Sequence, residues 1–159
     1  GKKFVLANCV NEDEVQFLND AGIETLVLDQ TSAIGNLLTL NKEAGIISPV
    51  IGMREREMIE AFLEKKLYPM RVAKSDLMGA SLVAGSKGFL VHPKAEPVEM
   101  QEIEAVLKIP GMRTTANYGD AFIGNSILTN KHGTIVGELT SGPELTRIDE
   151  GLHPGLLNR

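Results

Sequence analysis

Tryptophan is absent from this chain of 159 residues, and Phe and Tyr together supply only 4% of it. Leu, Ile, Val and Ala must therefore fill the core, within an apolar fraction of 43% that is ordinary for a globular protein. Cysteine occurs once, at Cys9, which excludes an internal disulfide and a zinc site built from cysteines. No apolar run reaches the roughly 18 residues that a membrane-spanning helix needs, and no secretory signal pattern is visible. Together these absences imply a cytoplasmic protein that neither enters a membrane nor depends on oxidation. Basic residues are also short, 16 against 21 acidic ones, giving a net charge of −5 and a pI near 5.2. That balance argues against a large phosphate-binding surface and favours basic protein as the partner. The chain opens Gly1-Lys2-Lys3, without an initiator Met. Its length suits one domain with a sizeable core.

What is present is a repeat. Ile34-Gly35-Asn36-Leu37-Leu38-Thr39-Leu40-Asn41-Lys42, Met78-Gly79-Ala80-Ser81-Leu82-Val83-Ala84-Gly85-Ser86 and Ile123-Gly124-Asn125-Ser126-Ile127-Leu128-Thr129-Asn130-Lys131 align without gaps. Gly35, Gly79 and Gly124 fall 44 and 45 residues apart. A second series follows each: Gly45-Ile46-Ile47, Gly88-Phe89-Leu90-Val91 and Gly133-Thr134-Ile135-Val136, whose leading glycines lie 43 and 45 apart. Two apolar runs joined by Asn, Lys and Gly read as a β-hairpin, since those residues tolerate positive φ.

Each hairpin leads into a helix. Residues 54–66 place Met58, Phe62 and Leu63 at helical spacing, and residues 98–108 do so with Ile103, Val106 and Leu107. Asn11-Glu12-Asp13-Glu14 and Ser141-Gly142-Pro143-Glu144 read as capping boxes, with Gly22 as the first helix's stop. Strand-forming segments Ile23–Leu28, Tyr68–Ala73 and Met112–Ala116 follow the first three helices. The unit is therefore strand, helix, strand, connector, strand, with units at approximately 1–41, 42–86, 87–130 and 131–159. Such a unit cannot bury its own apolar face, so neighbours must pack on one another.

The run Gly35-Asn36 to Asn41-Lys42-Glu43-Ala44-Gly45, then Gly88-Phe89-Leu90-Val91-His92-Pro93, then Asn130-Lys131-His132-Gly133-Thr134-Ile135-Val136-Gly137 resembles the translation initiation factor 6 family in its archaeal form. Thr140-Ser141-Gly142-Pro143-Glu144-Leu145 is similar to that family's last repeat. The resemblance implies an α/β pentein, an αβ repeat ring of five units around a pseudo-fivefold axis. Five units of about 44 residues need roughly 220, so this chain is expected to hold about three and a half, as a C-terminal portion. The resemblance also implies a noncatalytic factor that binds the large ribosomal subunit and blocks joining of the small one. Its docking face would be lined by turns at one end of the units, against basic ribosomal protein near the sarcin–ricin loop with a minor rRNA contact. Carried over by position, the ribosome-binding residues are Asn36, Ala80, Ser81 and Asn125. No cofactor, metal or small-molecule substrate is implied.

Other readings compete. Asn36 and Asn125 also suit plain turn chemistry, an Asn bonding its local backbone. Other penteins include guanidine-modifying enzymes with a Cys-His-acid site, but Cys9 lies at the wrong end of the chain and beside acidic Glu12-Asp13-Glu14, so it is read as a buried structural thiol. His92, His132 and His153 lack partners at metal spacing and read as hairpin or surface residues, His92 and His132 at equivalent positions. Glu55, Glu57, Glu60 and Glu64 stand with Arg54, Arg56, Lys65 and Lys66 as a solvated helix face with i,i+4 pairs. Gly85-Ser86-Lys87-Gly88 is a hairpin turn, not a phosphate loop. A third class is a truncated or engineered repeat scaffold that self-assembles to cover its open ends.

Overall fold

The computed structural model describes residues 2–155; the last four residues of the 131–159 unit and Gly1 lie outside them. Strand β1 (Lys3–Leu6) leads into helix α1 (Glu12–Asp20) and returns as β2 (Glu24–Val27), which pairs parallel to β1. The sequence fixes both ends of α1. Asn11 Oδ1 accepts the Glu14 N–H at 2.9 Å, the Glu14 carboxylate accepts the Asn11 N–H at 2.9 Å, and Gly22 takes φ +75 beyond the last turn.

Then comes a short helical connector, α2 (Ile34–Leu37), followed by β3 (Leu38–Leu40), β4 (Gly45–Ile47), α3 (Met53–Leu63) and β5 (Leu67–Pro69). The next stretch repeats it: α4 (Met78–Ser81), β6 (Leu82–Ala84), β7 (Phe89–Val91), α5 (Pro97–Leu107) and β8 (Gly111–Arg113). A last pass gives a 3₁₀ turn (Ile123–Asn125), β9 (Ile127–Asn130), β10 (Gly133–Val136) and α6 (Gly142–Leu152). The two complete sheets have the same order, with an antiparallel hairpin and then a parallel third strand: β3-β4-β5 and β6-β7-β8. Among the described residues β9 and β10 form a hairpin without a third strand. The hairpin turns are closed as their Asn residues dictate: Asn41 Oδ1 accepts the Glu43 and Ala44 N–H groups, and Asn130 Oδ1 accepts those of His132 and Gly133.

Each core cluster joins residues of one unit to residues of its neighbour. Phe89 and Val91 of β7 bury against Ile103 and Leu107 of α5, and Ile46 of β4 joins the same cluster. Leu90, on the opposite face of β7, packs instead with Ile148 and Leu152 of α6. Helices α3, α5 and α6 thus each cover their own sheet on one side and the preceding sheet on the other. The pair Leu128 and Ile135, in register across β9 and β10, corresponds to Val83 and Leu90 across β6 and β7. No following helix covers it among the described residues, and each of its members is 71% exposed. At the other end α1 buries no residue, and Phe17 faces water.

Three sequence expectations are corrected here. Glu55 does not stand on a solvated face: it is buried together with Ile59, while Met58, Phe62 and Leu63 are half-buried. Nor does α3 hold i,i+4 ion pairs among the described residues; Glu60 pairs with Lys66 at 3.5 Å and Glu64 with Lys3 at 2.7 Å. His92 and His132 are not equivalent. His92 is buried in a strand-to-helix loop, edge-on to Phe122 at 5.6 Å, whereas His132 is exposed in a hairpin turn.

Candidate functional site

One end of the units gathers three kinds of loop that the repeat makes. There the strand-to-helix loops (residues 48–52, 92–96 and 137–141) meet the tight turns that follow each third strand, and the connectors lie alongside. Ser48 N–H donates to the Leu37 carbonyl at 2.7 Å, His92 N–H to Ser81 at 2.8 Å and Gly137 N–H to Ser126 at 2.8 Å. Every connector is thereby tied to the strand-to-helix loop that follows its own hairpin.

A recurring glutamate joins successive units at this end. Glu55, Glu99 and Glu144, each at the third position of its helix, fall 44 and 45 residues apart. The Glu55 carboxylate accepts the Gln30 N–H at 2.9 Å and the Thr31 hydroxyl at 2.7 Å. Glu99 accepts the Ala73 N–H at 3.0 Å and its own cap's Glu96 N–H at 2.7 Å. Glu144 holds the most: the Ser141 N–H and hydroxyl at 2.8 Å, the Thr115 hydroxyl at 2.7 Å, and the N–H groups of Gly119 at 2.9 Å and Tyr118 at 3.3 Å. Burial by itself would raise the Glu144 pKa, but the donors from Ser141, Thr115 and Gly119 outweigh it and hold it at about 2. In Glu55 too, hydrogen bonds from Thr31 and Gln30 overcome the upward push of burial, and the pKa is lowered.

The clamped turns carry left-handed residues. Ala73 and Lys74 stand at φ +51 and +64, and Asn117 and Tyr118 at +46 and +66. Ala73 and Lys74 form a two-residue tip closed by paired bonds between Val72 and Ser75, and Asn117, Tyr118 and Gly119 a three-residue one closed between Ala116 and Asp120. Lys74 and Tyr118 are exposed at these tips, within a fringe of apolar side chains in water: Val50, Met53, Leu77, Val98, Tyr118 and Leu139.

The four sequence-predicted binding residues separate into two pairs. Asn36 and Asn125 are exposed at this end, and neither side chain bonds the local backbone among the described residues. Turn chemistry therefore does not occupy them. Ala80 is 2% and Ser81 0% exposed, which corrects the expectation that they contact a partner. The middle connector α4 is packed between α2 on one side and the 3₁₀ turn on the other, so its residues face neighbours and not solvent. The fringe residues went unseen in the sequence because they lie in loops or in the first turn of a helix, where no hydrophobic period marks them out. The glutamate series, repeating at the glycine period, was the signal that could have located their turns.

Cys9 is exposed rather than buried, and its thiol donates to the Ser32 carbonyl at 3.8 Å. No histidine bonds it among the described residues. Burial lowers the His92 pKa, helped by Lys94, and its Nδ1 accepts the Lys94 N–H at 3.1 Å. Among the described residues no group of three His, Cys, Asp or Glu is placed to hold a metal ion. No helix among the described residues is long and apolar enough to cross a membrane.

A model of the eIF-6 family matches residues 1–151. Curated proteins called Translation initiation factor 6 are similar: that of Methanosarcina mazei is 33% identical over 124 residues, covering 78% of this chain and 57% of the relative. That of Pyrococcus abyssi is 33% identical over 134 residues, covering 82% and 59%. That of Pyrobaculum arsenaticum is 29% identical over 149 residues, covering 93% and 68%. The chain thus spans under two thirds of the length of the first two. With a family match running through every connector, hairpin and capped helix, the chain belongs to the eIF-6 family.

Proposed function

We propose that this chain is, or forms part of, a ribosome anti-association factor. It binds the large ribosomal subunit and sterically prevents premature joining of the small one, in translation initiation and large-subunit maturation. The observation that carries the reading is the family match over residues 1–151. The partner is basic ribosomal protein near the sarcin–ricin loop, with a minor rRNA contact, in the cytoplasm. Steric exclusion asks for a rigid surface and no chemistry, so the reading invokes no cofactor, substrate or membrane.

In this reading the units at 1–41, 42–86, 87–130 and 131–159 are part of a pentein-like ring, and the clamped turn end is its docking face. Asn36 and Asn125 take part in the contact. A net charge of −5 supports a basic partner, since complementary charge speeds encounter and fixes register. An exposed Cys9 without a histidine partner does not support the guanidine-modifying alternative.

Sedimentation of mixed ribosomal subunits tests the proposal. The chain, compared with a full-length relative as control, is expected to diminish the joined peak and to migrate with the large subunit. Unchanged joining in the presence of chain that remains folded counts against it.

A further inference from the structure

Tyr118 is the most exposed of the large apolar side chains, at 83%. It holds φ +66, a conformation that glycine adopts freely and a bulky residue does not. Glycine stands at the next position, Gly119, yet not here. The turn is pinned from two sides. Beneath it, the Glu144 carboxylate accepts the N–H groups of Tyr118 and Gly119. Beside it, Asn117 N–H donates to the Thr140 hydroxyl at 3.1 Å, and Asn117 Oδ1 accepts the Leu139 N–H at 3.2 Å. That amide lies so close to Gly137 that a Cβ there would stand 2.6 Å from its oxygen. Everything about the turn is fixed except the phenol ring, which has no hydrogen bond or aromatic contact among the described residues. Leu139, on the loop that pins the turn, is also exposed, and Glu138 beside it is in water.

We propose that Tyr118, with Leu139 beside it, is the anchor of the docking face, its ring entering an apolar pocket on a positively charged protein surface. The proposal rests on the docking reading given above. A rigid aromatic on a preformed turn loses little freedom on binding, which is why Tyr is prominent among interface residues that carry most of the affinity. Glu138 and the fixed charge of Glu144 beneath the turn favour a basic rim around that pocket and disfavour a phosphate backbone. In the corresponding turn of the preceding unit the tip residue is Lys74, so the aromatic tip is particular to this station.

Binding of the 159-residue chain to purified large ribosomal subunits, measured by co-sedimentation at fixed salt, tests it. Tyr118→Ala is expected to weaken binding about thirty-fold or more, while Tyr118→Phe stays within about threefold of the parent because the ring is kept. Tyr118→Gly separates anchoring from folding: binding falls as for Ala, while the melting temperature is equal or higher, since glycine suits φ +66. If Tyr118→Ala binds as the parent does, the anchor is overturned and the docking reading stands. If the parent chain itself does not bind, both fall. Tyr118-dependent binding to protein-free large-subunit RNA overturns the assignment of a protein pocket.

Discussion

Gly79 lies directly against the carbonyl oxygen of Gly35, so closely that a Cβ on Gly79 would overlap that oxygen. Gly124 stands in the same relation to the Gly79 carbonyl. The glycines that mark the repeat are therefore the points at which one connector rests on the last. Nothing lies within 4 Å of a Cβ on Gly35, which has no earlier connector to rest on among the described residues.

Gly79→Ala and Gly124→Ala are accordingly expected to be destabilising by roughly 2–3 kcal/mol, because backbone has to move to admit the methyl group. Thermal unfolding should show a fall of about 4–10 °C for a chain of this size. Gly35→Ala is expected to be neutral or slightly stabilising, as an exposed helical Gly→Ala change is. Equal losses at all three positions would disprove the stacked arrangement.

Glu144 governs acid stability. Its folded-state pKa, about 2, lies below the roughly 4.3 of an unfolded glutamate. The stabilisation is therefore complete above about pH 4.5 and is lost as pH falls through the interval down to about 2. Glu144→Ala leaves the N–H groups of Ser141, Tyr118 and Gly119 without their acceptor, at a cost of about 3–5 kcal/mol near neutral pH. In denaturant melts the variant should lose stability less steeply than the parent below pH 4.5.

Ser81 Oγ is buried and has no hydrogen-bond partner among the described residues. Ser81→Ala removes a desolvated hydroxyl and should be neutral or stabilising by up to about 1 kcal/mol. It should also leave binding to large subunits unchanged, since Ser81 is 0% exposed. A variant of normal stability that binds more weakly would restore Ser81 to the docking surface.

Chemically similar residues in equivalent strands should behave differently. Leu90→Ala opens a cavity beneath α6 and is expected to cost about 2–5 kcal/mol. Ile135→Ala, at the matching position of β10 and 71% exposed, should cost less than about 1 kcal/mol. Equal costs would mean that Ile135 is covered in solution.

Local signals were legible at every level that depends on near neighbours. Asn11 with Glu14 set the start of α1, Asn41 and Asn130 closed their hairpins as expected, and Pro97 opens α5 where a missing N–H is harmless. Cys9 and Glu55 were misread because their burial depends on residues far off in the chain. Glu55 turns inward since Thr31, 24 residues earlier, offers its hydroxyl there, and Ile59 beside it packs with Leu28 and Ile47.

The period, the hairpins, the helix caps and the family are all written in spacings of residues that shape the local backbone, and so can be read along the chain. Only the tertiary structure decided which members of a repeat face water. Asn36, Ala80 and Asn125 hold the same place in their units, yet Ala80 alone is flanked by a connector on both sides and is buried. The same rule exposes Ile135 where Leu90 is covered, and sets Tyr118 in solvent on a turn that a buried carboxylate holds from below. Identical local geometry acquires a different surface wherever its neighbours differ, because burial belongs to the packing between units and not to the unit.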